Sequence, residues 1–236
     1  MSDVPLPPFW CVVPAAGIGS RMRADRPKQY LQVAGRSILE HTLERLLRHP
    51  GLQGLVVSLA ADDPFWPQLA CAGDPRITRA RGGRERADSV LGALQTLLRM
   101  GVDEDAWVLV HDAARPNLAR EDLDRLLGEL QHDPVGGLLA AQSRDTLKQA
   151  DAEGRVVQTL DRARIWQAYT PQMFRLGMLQ RALSQALAAA LAVTDEASAM
   201  EWAGHAPRLV EGRTDNLKVT RPEDLEWLQR AWAGPL

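Results

Sequence analysis

Trp10-Cys11-Val12-Val13-Pro14-Ala15-Ala16-Gly17-Ile18-Gly19-Ser20-Arg21-Met22 is the stretch whose reading decides the fold of this chain. Its apolar residues run without a polar break, stop at a proline and open into a glycine-rich turn. An unbroken apolar run is how a strand covered on both faces reads, and in such sheets ligands bind beyond the carboxyl ends of the strands. The turn offers backbone N–H groups to an anion. A dinucleotide fingerprint is the obvious competitor, but after Gly17 and Gly19 the third glycine is replaced by Met22. No acidic residue ends a strand ~20 positions later, because Glu40 sits inside an expected helix. The loop is instead followed by cations: Arg21, Arg23 and Lys28. Fixed cations beside a glycine turn suit several phosphates better than one pyrophosphate bridge, the plain alternative being a solvated basic turn.

Outward from this stretch, strands and helices alternate. Ile38 to Arg48 predicts a helix with Ser37 and Glu40 as capping box, closed by Pro50-Gly51. Leu55 to Ala60 predicts a strand, Asp88 to Met100 a helix, and Trp107 to Val110 a buried strand ending at His111-Asp112. Leu123, Leu126, Leu127 and Leu130 mark another helix, and Gly136 to Ala141 another strand. Leu183, Leu187 and Leu191 read as a packed helix face. Thr194 is expected to cap a helix, Leu209-Val210 lies in a strand, and a last helix starts at Arg221 with Thr220 and Glu223 as capping box and Pro222 in its first turn. The pattern predicts an α/β fold, a mainly parallel sheet with helices on both faces. The polar breaks after Val13 and Val110 should share one edge of that sheet. Thr146 to Val157 departs from the rhythm: two polar-rich runs flank Asp151-Ala152-Glu153-Gly154, which predicts a hairpin. It carries too few apolar residues for a core strand, and reads as a projecting arm needing a second subunit to pack on.

A chain of 236 residues suits one domain, 1–236, and its 45% hydrophobic content supplies a full core. A formal net charge of −2 argues against nucleic acid as a partner. Cys11 and Cys71 build neither a zinc site nor a disulfide framework and read as reduced thiols in a cytoplasmic protein. MSDVPLPPFW lacks the plan of a secretory signal, and no apolar run approaches the ~18 residues of a membrane span.

Three further segments carry candidate chemistry. Gly82-Gly83-Arg84-Glu85-Arg86-Ala87-Asp88-Ser89 leaves free N–H donors before a helix for a base edge or ribose, with the Ser89 hydroxyl nearby, although Asp88 or Ser89 could equally cap that helix. His111-Asp112-Ala113-Ala114-Arg115-Pro116 sets a carboxylate at a strand end beside a phosphate loop. That is a natural ligand for a hard cation, with Arg115 in place for a second phosphate. His111 reads as a turn-structuring residue. Gly212 to Thr220 brings Asp215, Asn216 and Lys218 just before the last helix, as a site loop or a surface turn would.

PAAGIGSRM with PKQY, GGRERADSV, VHDAARP, and TDEAS followed by VEGRTDNLKVTRPEDL occur in this order, and together they resemble the 2-C-methyl-D-erythritol 4-phosphate cytidylyltransferases. The resemblance runs from about Cys11 to Leu225. It implies a Rossmann-like nucleotidyltransferase fold and a homodimer in which a β-arm, at about 142–170, reaches across to the partner. It implies that Pro14, Ala15, Ala16, Gly17, Gly19, Gly83, Ser89 and Ala113 bind CTP, with Arg21 and Lys28 as catalytic cations. Asp112, Arg115, Thr146, Arg162, Thr170 and Lys218 would hold methylerythritol phosphate, with Arg162 and Thr170 completing the neighbouring subunit's site. Asp112 would also hold Mg²⁺ or another divalent cation. Ribitol 5-phosphate cytidylyltransferase is the nearest alternative, and a non-catalytic nucleotide-binding module the alternative of another class.

Overall fold

A computed structural model describes residues 5–17, 19, 22 and 25–233. Strand β1 (Phe9–Pro14) is followed by the small hairpin β2 (Gln32–Val33) and β3 (Arg36–Ser37), then helix α1 (Ile38–Leu47). Next come β4 (Leu52–Leu59), β5 (Ile77–Arg81), α2 (Arg86–Arg99), β6 (Trp107–Val110), α3 (Arg120–Leu130) and β7 (Gly136–Gln142). The chain continues through β8 (Lys148–Ala150), β9 (Val156–Thr159), β10 (Trp166–Arg175), α4 (Leu176–Ala188), α5 (Glu196–Trp202), β11 (Arg208–Glu211) and α6 (Pro222–Trp232).

Seven strands form the central sheet in the order β11-β7-β10-β6-β1-β4-β5. Neighbours are parallel except that β10 runs antiparallel to both β6 and β7. The pleat sorts side chains cleanly. Cys11, Val13, Leu55, Val57 and Leu109 join the leucines of α1 and α3 on one face, while Val12, Val56, Val108 and Val110 join α2, α4 and α5 on the other. The expected mainly parallel sheet with helices on both faces is what is found. Because β1 and β6 are parallel neighbours, the breaks after Val13 and Val110 open on the same edge.

Local expectations hold in part. Ser37 and Glu40 form the capping box of α1, each bonding the other's backbone N–H. Helix α2 is capped by Glu85 with Asp88 at its third position, so neither Asp88 nor Ser89 is the cap residue. At α5 the cap is Asp195 rather than Thr194, with its carboxylate accepting from the Ser198 N–H. At α6 the side chain that accepts from Thr220 and Arg221 is Asp224, one residue beyond Glu223. Leu183 is buried on α4, but Leu191 lies past the helix end and is exposed. Strands β8 and β9 form the expected hairpin, apart from the main sheet, with Val156 and Val157 63% and 61% exposed. The segment after it is not part of that hairpin: β10 returns to the middle of the sheet.

Candidate active site

The pocket is built where β1, β4 and β6 end. Two glycine-containing loops are pinned side by side on β4: the Ala15 N–H donates to the Ser58 carbonyl at 2.8 Å, and the Gly82 N–H to that of Leu59 at 2.7 Å. The loops touch so closely that a Cβ on Gly82 would lie 2.1 Å from the Ala16 Cβ. Gly19 adopts φ +70°, and a Cβ there would meet Lys28 Cγ at 2.7 Å, so glycine both permits the turn and lets the Lys28 side chain cross it. Gln29 fastens the first loop from beneath, its Nε2 donating to the carbonyls of Ala15 at 2.6 Å and Gly17 at 3.1 Å.

The resulting cavity of about 350 Å³ is lined by Pro14, Ala15, Ala16, Gly17, Gly19, Lys28, Gly83, Ser89, Asp112, Ala113 and Lys218 from the sequence expectations. Gln29, Arg84, Glu85, Arg86 and Ala114 complete it. Ser89 is present but engaged: its hydroxyl accepts from the Gly83 N–H and donates to the Glu85 carbonyl, both at 3.0 Å, which holds the glycine turn in shape. Lys28 Nζ donates to the Val219 carbonyl at 2.9 Å, tying the first loop to the segment before α6. Arg21 and Arg23 lie outside the described residues.

Asp112 is the electrostatic centre. Only 6% exposed, it meets Arg86 Nε at 2.9 Å, Lys218 Nζ at 2.8 Å and Arg115 Nε at 3.5 Å. Burial alone would raise its carboxyl, but Arg86, Lys218 and Arg115 outweigh that and hold it well below the usual carboxylate range. Its backbone N–H donates to Thr170 Oγ1 at 3.0 Å, and the same hydroxyl meets His111 Nδ1 at 2.9 Å. His111 is fully buried with Nε2 3.1 Å from the Arg115 carbonyl, and burial pushes its imidazole down to about 4. A neutral ring held at both nitrogens is a structural element of the turn, in line with the sequence reading.

Arg115 does not line the cavity. It is buried behind Asp112, stacks at 4.9 Å on the Tyr169 ring and donates to the Asn216 carbonyl at 2.6 Å. Thr170 lies in β10, where its hydroxyl accepts from the Asp112 N–H of its own chain. Asn216 Nδ2 donates to the Thr170 carbonyl at 2.9 Å, so the loop carrying Lys218 is sewn to β10. Thr146 and Arg162 are not brought to the cavity within one chain. Both are exposed at the base of the arm, where Arg162 Nη1 donates to the Arg144 carbonyl at 2.8 Å.

Three contributors escaped the sequence reading. Gln29 was inside the quoted PKQY and Arg86 inside GGRERADSV, so the signal was a polar side chain within a motif. Glu196 lies in TDEAS; it is fully buried and receives Arg86 on both oxygens, at 2.7 and 3.1 Å. Cations thus outnumber carboxylates around the cavity, which suits a polyanionic ligand flanked by a second anion.

Comparison with known proteins agrees with this geometry. The family model described as 2-C-methyl-D-erythritol 4-phosphate cytidylyltransferase matches residues 9–231. A protein of that name from Pseudomonas fluorescens strain Pf-5 is 70% identical over 234 residues, covering 99% of each chain. Its namesake from Pseudomonas entomophila strain L48 is 69% identical over 229 residues, 97% of each. Among solved structures, a 4-diphosphocytidyl-2C-methyl-D-erythritol synthase superposes with a TM-score of 0.82 at 36% identity, covering 96% of this chain and 99% of that one. The Francisella tularensis 2-C-methyl-D-erythritol 4-phosphate cytidylyltransferase gives 0.80 at 35%, covering 95% and 99%. With a match over almost its whole length and a cavity whose loops carry the expected motifs, the chain belongs to the 2-C-methyl-D-erythritol 4-phosphate cytidylyltransferase family.

Proposed function

We propose that the chain transfers the cytidylyl group of CTP to 2-C-methyl-D-erythritol 4-phosphate, giving 4-diphosphocytidyl-2-C-methyl-D-erythritol and pyrophosphate. The observation that carries this reading is the cavity between the two pinned glycine loops, walled by Lys28, Arg86 and Lys218 around Asp112. A phosphate oxygen of the acceptor attacks the α-phosphorus of CTP and the bond to the pyrophosphate oxygen breaks. The attacking group is a phosphate monoester with a second pKa of about 6, largely dianionic at neutral pH, so no general base is required. Among the described residues that line the cavity there is no histidine.

The barrier is the approach of an anion to a polyanion. Lys28 sits beside the first loop, where it offsets triphosphate charge as the crowded transition state forms. Arg21 is assigned the same task by its place in the motif. Lys218 lines the cavity beside Asp112 and orients the acceptor phosphate, with Arg115 supporting Asp112 from behind, while Ala15, Ala16, Gly17 and Gly83 give backbone close to the nucleotide.

Asp112 is the carboxylate that would hold Mg²⁺ or another divalent cation, which would share its oxygens with Arg86 and Lys218. Mg²⁺ keeps several waters and binds through one or two carboxylates plus substrate phosphates. When bound, the ion adds charge neutralisation at the triphosphate.

The working molecule in this reading is a cytoplasmic homodimer. No helix among the described residues is long and apolar enough to cross a membrane. The exposed Val156 and Val157 of the arm need a surface to cover them, and the exposed Thr146 and Arg162 at its base then reach the partner's acceptor site. The deciding experiment is pyrophosphate release with CTP and each of two acceptors, methylerythritol phosphate and ribitol 5-phosphate. Turnover of the first alone is expected; turnover of the second alone would overturn the acceptor, and release with neither would overturn the activity.

A further inference from the structure

We infer that Glu196, acting through Arg86, is a positioning residue that fixes the Asp112 carboxylate for the acceptor; the inference rests on the cytidylyl-transfer reading above. Glu196 is fully buried, does not line the cavity, and gives both oxygens to Arg86 Nη1 and Nη2 at 2.7 and 3.1 Å. The guanidinium is planar, so this two-point grip fixes the direction of its remaining edge. That edge is Nε, which donates to Asp112 Oδ1 at 2.9 Å. With Oδ1 taken, Oδ2 is the atom turned toward Lys218 at 2.8 Å and Arg115 at 3.5 Å. Thr170 holds the backbone N–H of the same residue, so Asp112 is fixed at main chain and side chain alike.

The chain of contacts joins residues 110 and 26 positions apart on α5, α2 and the end of β6. As a pure stability device it is a poor choice. Burying a carboxylate against a guanidinium gains little over well-packed apolar side chains of similar size. What the ionic arrangement supplies is direction: one orientation of one carboxylate at the acceptor side of the cavity. Lysine at position 86 would keep the charge but could not grip Glu196 and Asp112 from a fixed plane.

Glu196→Gln tests this, because it keeps the shape of a group that touches neither substrate. Acceptor cytidylylation should lose roughly 10-fold or more in kcat/KM for methylerythritol phosphate, the scale of a small misplacement at a reacting centre. The dissociation constant for CTP, measured by calorimetry, should stay within about twofold of wild type. In an Asp112→Asn background the same substitution should add less than about twofold, since the group it positions is already altered. A purely structural ion pair predicts otherwise: lower stability, acceptor and CTP constants unchanged or shifted together, and the full multiplicative loss in the Asp112→Asn background. Any of these kinetic results overturns the inference. Should Glu196→Gln fail to fold, Arg86→Lys carries the same test, with acceptor kcat/KM expected to fall further than CTP affinity. Wild-type enzyme that releases no pyrophosphate with the acceptor defeats the activity itself, an outcome distinct from a silent Glu196→Gln.

Discussion

Gly82→Ala adds one methyl group where the two glycine loops of the cavity meet. Its Cβ would lie 2.1 Å from the Ala16 Cβ and 3.1 Å from the Leu59 carbonyl oxygen. Carbon atoms rest at ~3.5–4.0 Å, so the shortfall is about 1.5–2 Å. Neither loop can easily retreat, because Ala15 and Gly82 are hydrogen-bonded to consecutive residues of β4, Ser58 and Leu59. A 1 Å misplacement at a reacting centre can cost ~10²-fold, so kcat/KM for CTP should fall by about that factor, near 3 kcal/mol. Overpacking should also cost ~1–3 kcal/mol of stability, or several degrees of melting temperature in a chain of this length. Steady-state kinetics with varied CTP, with a thermal melt on the same preparation, reads both. Gly73→Ala is the control, since nothing lies within 4 Å of its added Cβ. Gly82→Ala that keeps kcat/KM within about threefold of wild type, while folded, would refute the view that contact between these loops sets the pocket.

Lys28→Ala and Arg21→Ala should each lower kcat by at least ~10²-fold, the usual scale for one lost transition-state donor, as read by pyrophosphate release. Asn216→Ala leaves the buried Thr170 carbonyl without its partner and should cost ~1–3 kcal/mol in urea denaturation, with a higher KM for the acceptor as the Lys218 loop loosens. His49 is buried between Asp124 and the Gly51 N–H, and burial lowers its imidazole from the ordinary value. The unfolded chain therefore takes up this proton near pH ~6.5 while the folded chain resists it, so the stability from neutral His49 is complete above that pH and declines below it. Denaturation at several pH values should show a shallower decline for His49→Gln. Val156→Lys with Val157→Lys should shift the chain toward monomer in sedimentation; an unchanged dimer would remove the arm from the interface.

Much of the fold was legible because the inner strands are covered on both faces and read as unbroken apolar runs, as at Val12-Val13 and Trp107 to Val110. Two strands of the central sheet were not. Strand β5, Ile77–Arg81, is an edge strand whose exposed cations, Arg79 and Arg81, hide its periodicity. Strand β10 carries Gln167, Pro171 and Gln172 in the middle of the sheet. Gln172 tolerates burial because Asp195, the Tyr169 carbonyl and the Ala197 N–H satisfy its amide, partners that only the tertiary structure supplies. Caps were found to within a residue at α1, α5 and α6, but at α2 the cap Glu85 lies three residues before Asp88, because Ser, Thr, Asp and Glu near a helix start compete for the same N–H groups. In the site, motif position located the loops and Asp112. The grip of Glu196 on Arg86 joins segments 110 residues apart, and no local pattern announces such a pair.

Strand β10 bears on how the arm can be altered. The chain leaves β7, makes the arm, and returns through Arg162–Arg164 directly into Trp166–Arg175, whose Thr170 hydroxyl holds the Asp112 N–H. The arm and the strand that holds Asp112 are therefore one uninterrupted length of chain, not separable parts. Grafting an arm from a relative, or trimming it, changes the residues that feed β10 into the sheet between β6 and β7. An arm exchange that ends before Ile165 preserves the strand's register, whereas one that extends to Ala168 enters the irregular stretch before Gln172 and moves the support itself.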